Sequence, residues 1–391
     1  MREVPRTPYP VPRLVGAPPG RHRFVPLTVA GPWGRSPDEE GVRRSRTRLP
    51  AVLGILVMVL VACGGEPTGT PTKLTILAHD SFEDEVSDET FAAFTEATGI
   101  EVVVLAGGDA GAMVTQAVLT KDNPLADVLF GVDDTFLSRA LDGEIFRVHE
   151  TDGLANVDPS FLYPGNLVTP ISYGDVCVNY DKEWFADAGI TPPATLEDLR
   201  DPDMAGRLAV MDPATSSPGL AFLLATIDAY GEDGWHDFWA DLRDGGITVT
   251  AGWSEAYYGD FTRYGGDLPL VVSYASSPPA EVMFADPPTD IAPTGVITDR
   301  CYRQIEYAGV LDGTDHPDEA GQLVDFMLSL EFQTQVPETW FVYPANNLAT
   351  LSPIFATHTV LPANPTRFVA DHISSNRERW INEWLAVMEG R

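Results

Sequence analysis

From Lys73 onward the chain alternates short apolar runs with amphipathic segments, and this alternation sets what it can fold into. "LTILAH", "EVVVLAG" and "ADVLFGV" read as buried strands. "DETFAAFTEATG", "AMVTQAVLT" and "TFLSRALDG" follow them in turn with helical spacing, the first and last closed by a Gly suited to a C-cap. Strands alternating with helices predict a parallel sheet covered on both faces. "ISYGDVCVNYD" reads as a long strand leaving this unit. A second unit follows, with strands "RLAVMD", "ITVTA" and "LPLVVSYASS" and helices "SPGLAFLLATIDAYG" and "DGWHDFWADLRD". "CYRQIEYAGV" is a return strand, and "EAGQLVDFMLSLEFQTQV" and "ERWINEWLAVMEG" are helical. The expectation is an α/β chain of two lobes joined by long strands: residues 73–172 with 296–391, and residues 173–295. Ligands of open α/β sheets lie outside the carboxyl ends of the strands. That gathers His79, Asp80, Asp109, Asp133, the stretch Asp212 to Ser217, Trp253 and Tyr274 around one cleft.

The first 72 residues follow different rules. Residues 1–42 hold many Pro and Gly and no hydrophobic period, and read as a disordered leader or a misplaced start. Residues 43–62 have signal-peptide anatomy: Arg43, Arg44, Arg46 and Arg48 precede an apolar run from Leu49 to Ala62. The run ends in Leu60-Val61-Ala62-Cys63, which resembles a bacterial lipobox. The resemblance implies cleavage before Cys63 and acylation of its thiol, with residues 63–72 as a flexible tether. The alternative is an uncleaved anchor helix. No second long apolar run occurs, so a soluble, monomeric body held at the extracytoplasmic membrane surface is expected.

Losing the first 62 residues removes ten Arg and four acids and takes the formal charge from −32 to −38. Such a surface repels nucleic acid. With Cys63 assigned to lipid, Cys177 and Cys301 are either a disulfide or two separately buried thiols. No Cys-x-x-Cys or His-Glu-x-x-His spacing is present, so no metal site or cofactor is expected.

Two local devices stand out. In "DPATSSPGL", Ser216 and Ser217 precede Pro218, which suits a helix N-cap with Pro in the first turn. The same helix start can bind an anion such as phosphate. In "GWSEAYYGDF", Trp253 and Tyr257 share a helix face that Phe261 extends. The stripe is either core or one wall of a box for a flat or cationic ligand, with Tyr274 nearby and Asp80, Asp109 or Asp133 as carboxylates.

"LTILAHDSF", "ADVLFGVDDTFL", "DPATSSPGLAFLL", "VTAGWSEAYYGDF", "LVVSYASSP" and "ERWINEWLAVM" resemble, in this order, the periplasmic thiamine-binding proteins of bacterial ABC importers. The resemblance runs from about Leu74 to Leu385. It implies a type II periplasmic-binding fold whose lobes close on thiamine, thiamine monophosphate or thiamine diphosphate and pass it to a permease and ATPase. It implies Asp80 and Asp109 near the thiamine rings, Ser216 and Ser217 at the hydroxyl or phosphate end, and Trp253 and Tyr274 as stacking rings. His79 stands where the family often has Tyr, Ala280 where a pocket Tyr occurs, and Trp340-Phe341 is shifted so that Phe341 aligns with a family Trp. The rival ligand is ferric iron, held by Tyr257, Tyr258 and His79 as in ferric-binding proteins of similar architecture. Thiamine-cleaving enzymes also resemble this fold, but they need an activated nucleophile. Neither Cys177 nor Cys301 falls in a cleft turn, so no enzyme is expected.

Overall fold

The computed structural model describes residues 73–391. The expected leader, signal peptide, Cys63 lipidation site and tether lie outside the described residues. Among the described residues nine strands occur: β1 Lys73–Ala78, β2 Glu101–Ala106, β3 Val128–Asp133, β4 Thr169–Asp181, β5 Leu208–Met211, β6 Thr248–Thr250, β7 Leu270–Tyr274, β8 Thr294–Val310 and β9 Tyr343–Pro344. They form one sheet in the order β2-β1-β3-β8-β4-β7-β5-β6, with β9 on β4.

Each end of the sheet is parallel. β1 pairs in parallel with β2 and β3, and β5 with β6 and β7. The middle is antiparallel: β8 pairs with β3 and with β4 in this sense, and β4 with β7. β4 and β8 are the two long strands, and the chain crosses between the sheet ends along them in opposite senses. The expected boundaries after residues 172 and 295 fall inside these same two strands.

β8 also starts earlier than "CYRQIEYAGV". Thr294–Ile297 already pair with β4, and exposed Thr298, Asp299 and Arg300 interrupt the apolar pattern before Cys301. Cys177 of β4 and Cys301 of β8 form a disulfide (S–S 2.06 Å), which decides between the two alternatives left by the sequence. Both cysteines are buried beside Ala275.

The helix Ser217–Asp244 is one pass broken at Gly231, whose φ of 72° and ψ of 172° are open only to Gly at low cost. The two helices read from the sequence therefore follow each other without a loop. The C-terminal helix Ala370–Met388 was expected to go with the first lobe, but it packs on both sides. Arg377 donates to Ser138 Oγ at 2.9 Å, while Trp384 meets Trp239 edge-on at 5.5 Å. Among the described residues no helix is long and apolar enough to cross a membrane.

Candidate functional site

β1 ends at Ala78, and His79 turns the chain into the short helix Asp80–Glu83. Its Nδ1 accepts the Phe82 N–H at 3.2 Å and lies 2.8 Å from Ser81 Oγ, so Nε2 is left to face inward. There it lies 3.2 Å from Glu306 Oε1 on β8. Gly131 makes this approach possible. It sits at an irregularity of β3 with φ 93°, and a Cβ there would lie 2.2 Å from the His79 ring.

Asp109 follows β2 and caps the helix Ala110–Leu119, accepting Ala110 N–H at 2.7 Å through Oδ1. Its Oδ2 accepts the Trp253 N–H at 3.0 Å, across from the β5–β7 end of the sheet. Gly111 N–H to Thr215 O at 2.8 Å makes a second such bridge. Gly252 permits the first, since a Cβ there would press on Asp109 at 3.2 Å.

"EAYYGD" forms a wide π-helical turn, Glu255–Asp260, rather than an ordinary helix. Trp253 stacks on Tyr257 at 4.7 Å and 16°, and its Nε1 donates to Ser273 Oγ at 3.0 Å. Tyr257 is buried and donates to Glu281 Oε1 at 2.7 Å, as does Tyr264 at 3.1 Å. Tyr274 donates to Gln304 Oε1 at 3.0 Å.

These groups surround a cleft of about 1050 Å³, counting the part open to solvent. Of the residues expected at the site, Asp109, Ser217, Trp253, Tyr274, His79, Tyr257, Trp340 and Phe341 line it. Asp80, Ser216 and Asp133 do not. Asp80 is exposed and fixes a turn by accepting Gly108 N–H at 2.8 Å. Ser216 is buried and caps its helix, accepting Gly219 N–H at 3.4 Å. Asp133 is fully buried beneath the wall and accepts the Ser217 hydroxyl at 2.7 Å. Ser217 Oγ is thus turned toward a carboxylate, a poorer start for an anion site than the sequence suggested.

Sequence reasoning missed Glu306, Gln304, Ser172, Glu85 and Phe284, which also line the cleft. Gln304 and Glu306 are two apart on one strand and so share a face. That alternation was the available signal.

The charges are set by burial and pairing. Burial alone would lower the His79 pKa, but the hydrogen bond and charge of Glu306, with Asp109 and Asp80, raise it above its ordinary 6.5. Burial alone would raise the Glu306 carboxyl, but His79 and Ser172 outweigh it and hold it low. Burial pushes Asp109 up, against hydrogen bonds that hold it down. Burial and the Glu281 charge push the Tyr257 hydroxyl far above its ordinary range. A tyrosinate at Tyr257 is therefore costly, and its oxygen is already committed to Glu281. That geometry speaks against the iron site built on Tyr257, Tyr258 and His79. Among the described residues no group of His, Cys, Asp and Glu is placed to hold a metal ion.

Residues 123–365 match the model of a family described as bacterial extracellular solute-binding protein. The chain belongs to this family. The thiamine-binding periplasmic protein of Brucella abortus is 32% identical over 81% of this chain and 92% of its own length. That of Escherichia coli is 29% identical over 83% of this chain and 96% of its own. A solved structure, a periplasmic thiamin binding protein, superposes with a TM-score of 0.72 at 28% identity, covering 81% of this chain and 96% of that one. The architecture of this solute-binding protein is the type II periplasmic-binding fold. What its cleft offers is aromatic surface beside carboxylates. Glu85, Asp109 and Glu306 line it with His79, and no Lys or Arg does so among the described residues.

Proposed function

We propose that this solute-binding protein captures thiamine in the cleft and delivers it to the permease and ATPase of an ABC importer. The observation that carries this reading is the Trp253 wall. One face of the indole rests on Tyr257, its ring nitrogen is tied to Ser273, and Asp109 holds its backbone. The thiazolium of thiamine is a flat cation, and an aromatic face next to carboxylates attracts such a group. The relatives' names support the same ligand. Thiamine monophosphate and diphosphate belong to the proposal as weaker ligands, since Asp133 bonds Ser217 and Asp109 lies against Ser216 at that helix start.

The chain binds without chemistry. Ligand contacts on both sides of the cleft favour a closed state over an open one. Acylation at Cys63 holds the monomeric body on the extracytoplasmic face of the membrane, and no cofactor takes part. Replacing Cys63 with Ala releases the protein from membranes; a variant that stays membrane-bound counts against lipidation.

Thermal unfolding of the body from Gly64 onward tests the ligand, with thiamine, its two phosphates and ferric citrate. A ligand at about a thousand times its Kd stabilises by roughly 4 kcal/mol. A shift with thiamine and none with iron is expected. A shift with iron alone, accompanied by colour, overturns the thiamine reading.

A further inference from the structure

One carboxylate stands behind the Trp253 wall, outside the cleft itself, and no sequence motif points to it. Glu281 lies on the helix Pro278–Met283 and is 7% exposed. Its Oε1 accepts two hydroxyls at once, from Tyr257 at 2.7 Å and from Tyr264 at 3.1 Å. Both tyrosines line the cleft, while Glu281 does not. Tyr257 in turn carries the indole of Trp253, at 4.7 Å and 16°. The carboxylate is therefore one hydrogen bond and one ring behind the indole.

Two hydroxyl donors need only an acceptor, and a neutral Gln would supply one. A buried carboxylate is unfavourable unless it is paired. Here the pairing is incomplete. Arg263, the cation beside it, comes to 3.8 Å, from Nε to Oε2, and that Nε is buried without a hydrogen-bond partner among the described residues. The same guanidinium lies 3.3 Å from Glu183 and 3.8 Å from Asp181. One positive charge thus faces three carboxylates. Burial pushes the Glu281 carboxyl above its ordinary range, against the two hydroxyls and Arg263, which hold it down. A phenol that donates to a carboxylate is polarised toward its ring, and a more negative ring attracts a cation more strongly.

We propose that Glu281 is the positioning residue that gives the Trp253 wall its preference for a cationic ring over a neutral ring of the same shape. Its bond to Tyr257 fixes that ring against the indole. Its charge, only partly offset by Arg263, acts on the ligand through packed rings rather than through water, where it would be screened. Asp109 bonds the backbone of the same tryptophan from the opposite side of the cleft, so the two carboxylates favour one end of the ligand. This inference rests on the thiamine reading.

Calorimetric titration at about pH 8, where a raised carboxyl is still ionised, tests it. Thiamine is compared with a neutral isostere in which carbon replaces the positively charged ring nitrogen. The readout is the ratio of the two affinities within one protein. A merely structural role leaves that ratio unmoved, because a damaged wall weakens both ligands alike. Glu281→Gln keeps an acceptor for the hydroxyls and removes the charge, and the ratio is expected to fall about five-fold in favour of the isostere. Arg263→Gln removes the opposing charge, and the ratio is expected to rise. A ratio unchanged in Glu281→Gln overturns the role of Glu281 alone. Should that variant fail to fold, Arg263→Gln decides, and a ratio that stays or falls there overturns the inference. Absence of thiamine binding by the wild-type body overturns the ligand reading and this inference with it.

Discussion

Trp253 concentrates three constraints in one residue: a ring beneath it, a hydroxyl at its nitrogen and a carboxylate at its backbone. Such a ring is preorganised, so its binding contribution is not spent on ordering. Trp253→Ala is expected to weaken thiamine binding by roughly a hundred-fold with an unchanged circular dichroism spectrum, as hot-spot aromatics do; equal affinity would remove Trp253 from the site. His79 and Glu306 make a second residue-scale prediction. The raised His79 adds stability that is complete below its ordinary 6.5 and is lost as pH rises through its raised value. The depressed Glu306 adds stability above its ordinary 4.5 that is lost as pH falls through its lowered value. The pair therefore serves best between those limits. In Glu306→Gln the strongest raising partner is gone and burial is opposed only by Asp109 and Asp80, so the His79 ring should titrate at lower pH than in the wild type in an NMR pH series. A His79 titration that does not move from its wild-type value would mean that Glu306 is not its partner. Trp253 was legible because it follows a strand end. Glu306 was not, because one acid in "QIEYAG" looks the same whether it faces water or a cleft.

At the scale of elements, the apolar runs located eight of the nine strands, because buried strands need them whatever their partners. Two-residue β9 carries no such run. The front of β8 was hidden by the exposed Thr298, Asp299 and Arg300, where the strand leaves the core. "EAYYGD" was read as an ordinary helix because its apolar spacing does not separate an ordinary turn from the wider one observed. Gly131 is the element-scale point where geometry can be tested. It interrupts the β3 register and gives His79 its place. Gly131→Ala adds a Cβ 2.2 Å from that ring at a φ of 93°. It is expected to cost about 1–3 kcal/mol. The same substitution should move the His79 titration away from its wild-type value, since the ring must leave Glu306. Denaturant unfolding and the NMR series together check this; an unaltered midpoint would show that the strand absorbs the methyl group elsewhere.

Across the whole molecule, the alternating order of strands and helices announced two parallel clusters, but local sequence says nothing about how β4 and β8 join them. Antiparallel pairing over such sequence distances is decided by the sheet as a unit, as is the burial of Cys177 against Cys301. Charge is the molecular property that the sequence states directly and the cleft repeats. The body is strongly acidic, and the cleft wall carries Glu85, Asp109 and Glu306 without Lys or Arg among the described residues. A low-dielectric cleft in which Glu85, Asp109 and Glu306 outnumber the single basic group His79 focuses a negative field on the entering ligand. Thiamine enters as a cation, whereas its diphosphate brings more negative charge than the thiazolium offsets. Thiamine should therefore bind tighter than thiamine diphosphate at low salt. The difference should shrink as salt rises, because the Debye length falls from about 30 Å at 0.01 M to about 8 Å at 0.15 M. Contacts at the rings are short-ranged and buried, so thiamine itself should lose little affinity over that range while its association rate falls. Stopped-flow fluorescence of the cleft tryptophans at several ionic strengths separates the two effects. Tighter binding of the diphosphate at low salt would mean that the backbone at the Ser216–Ser217 helix start outweighs the carboxylates around it.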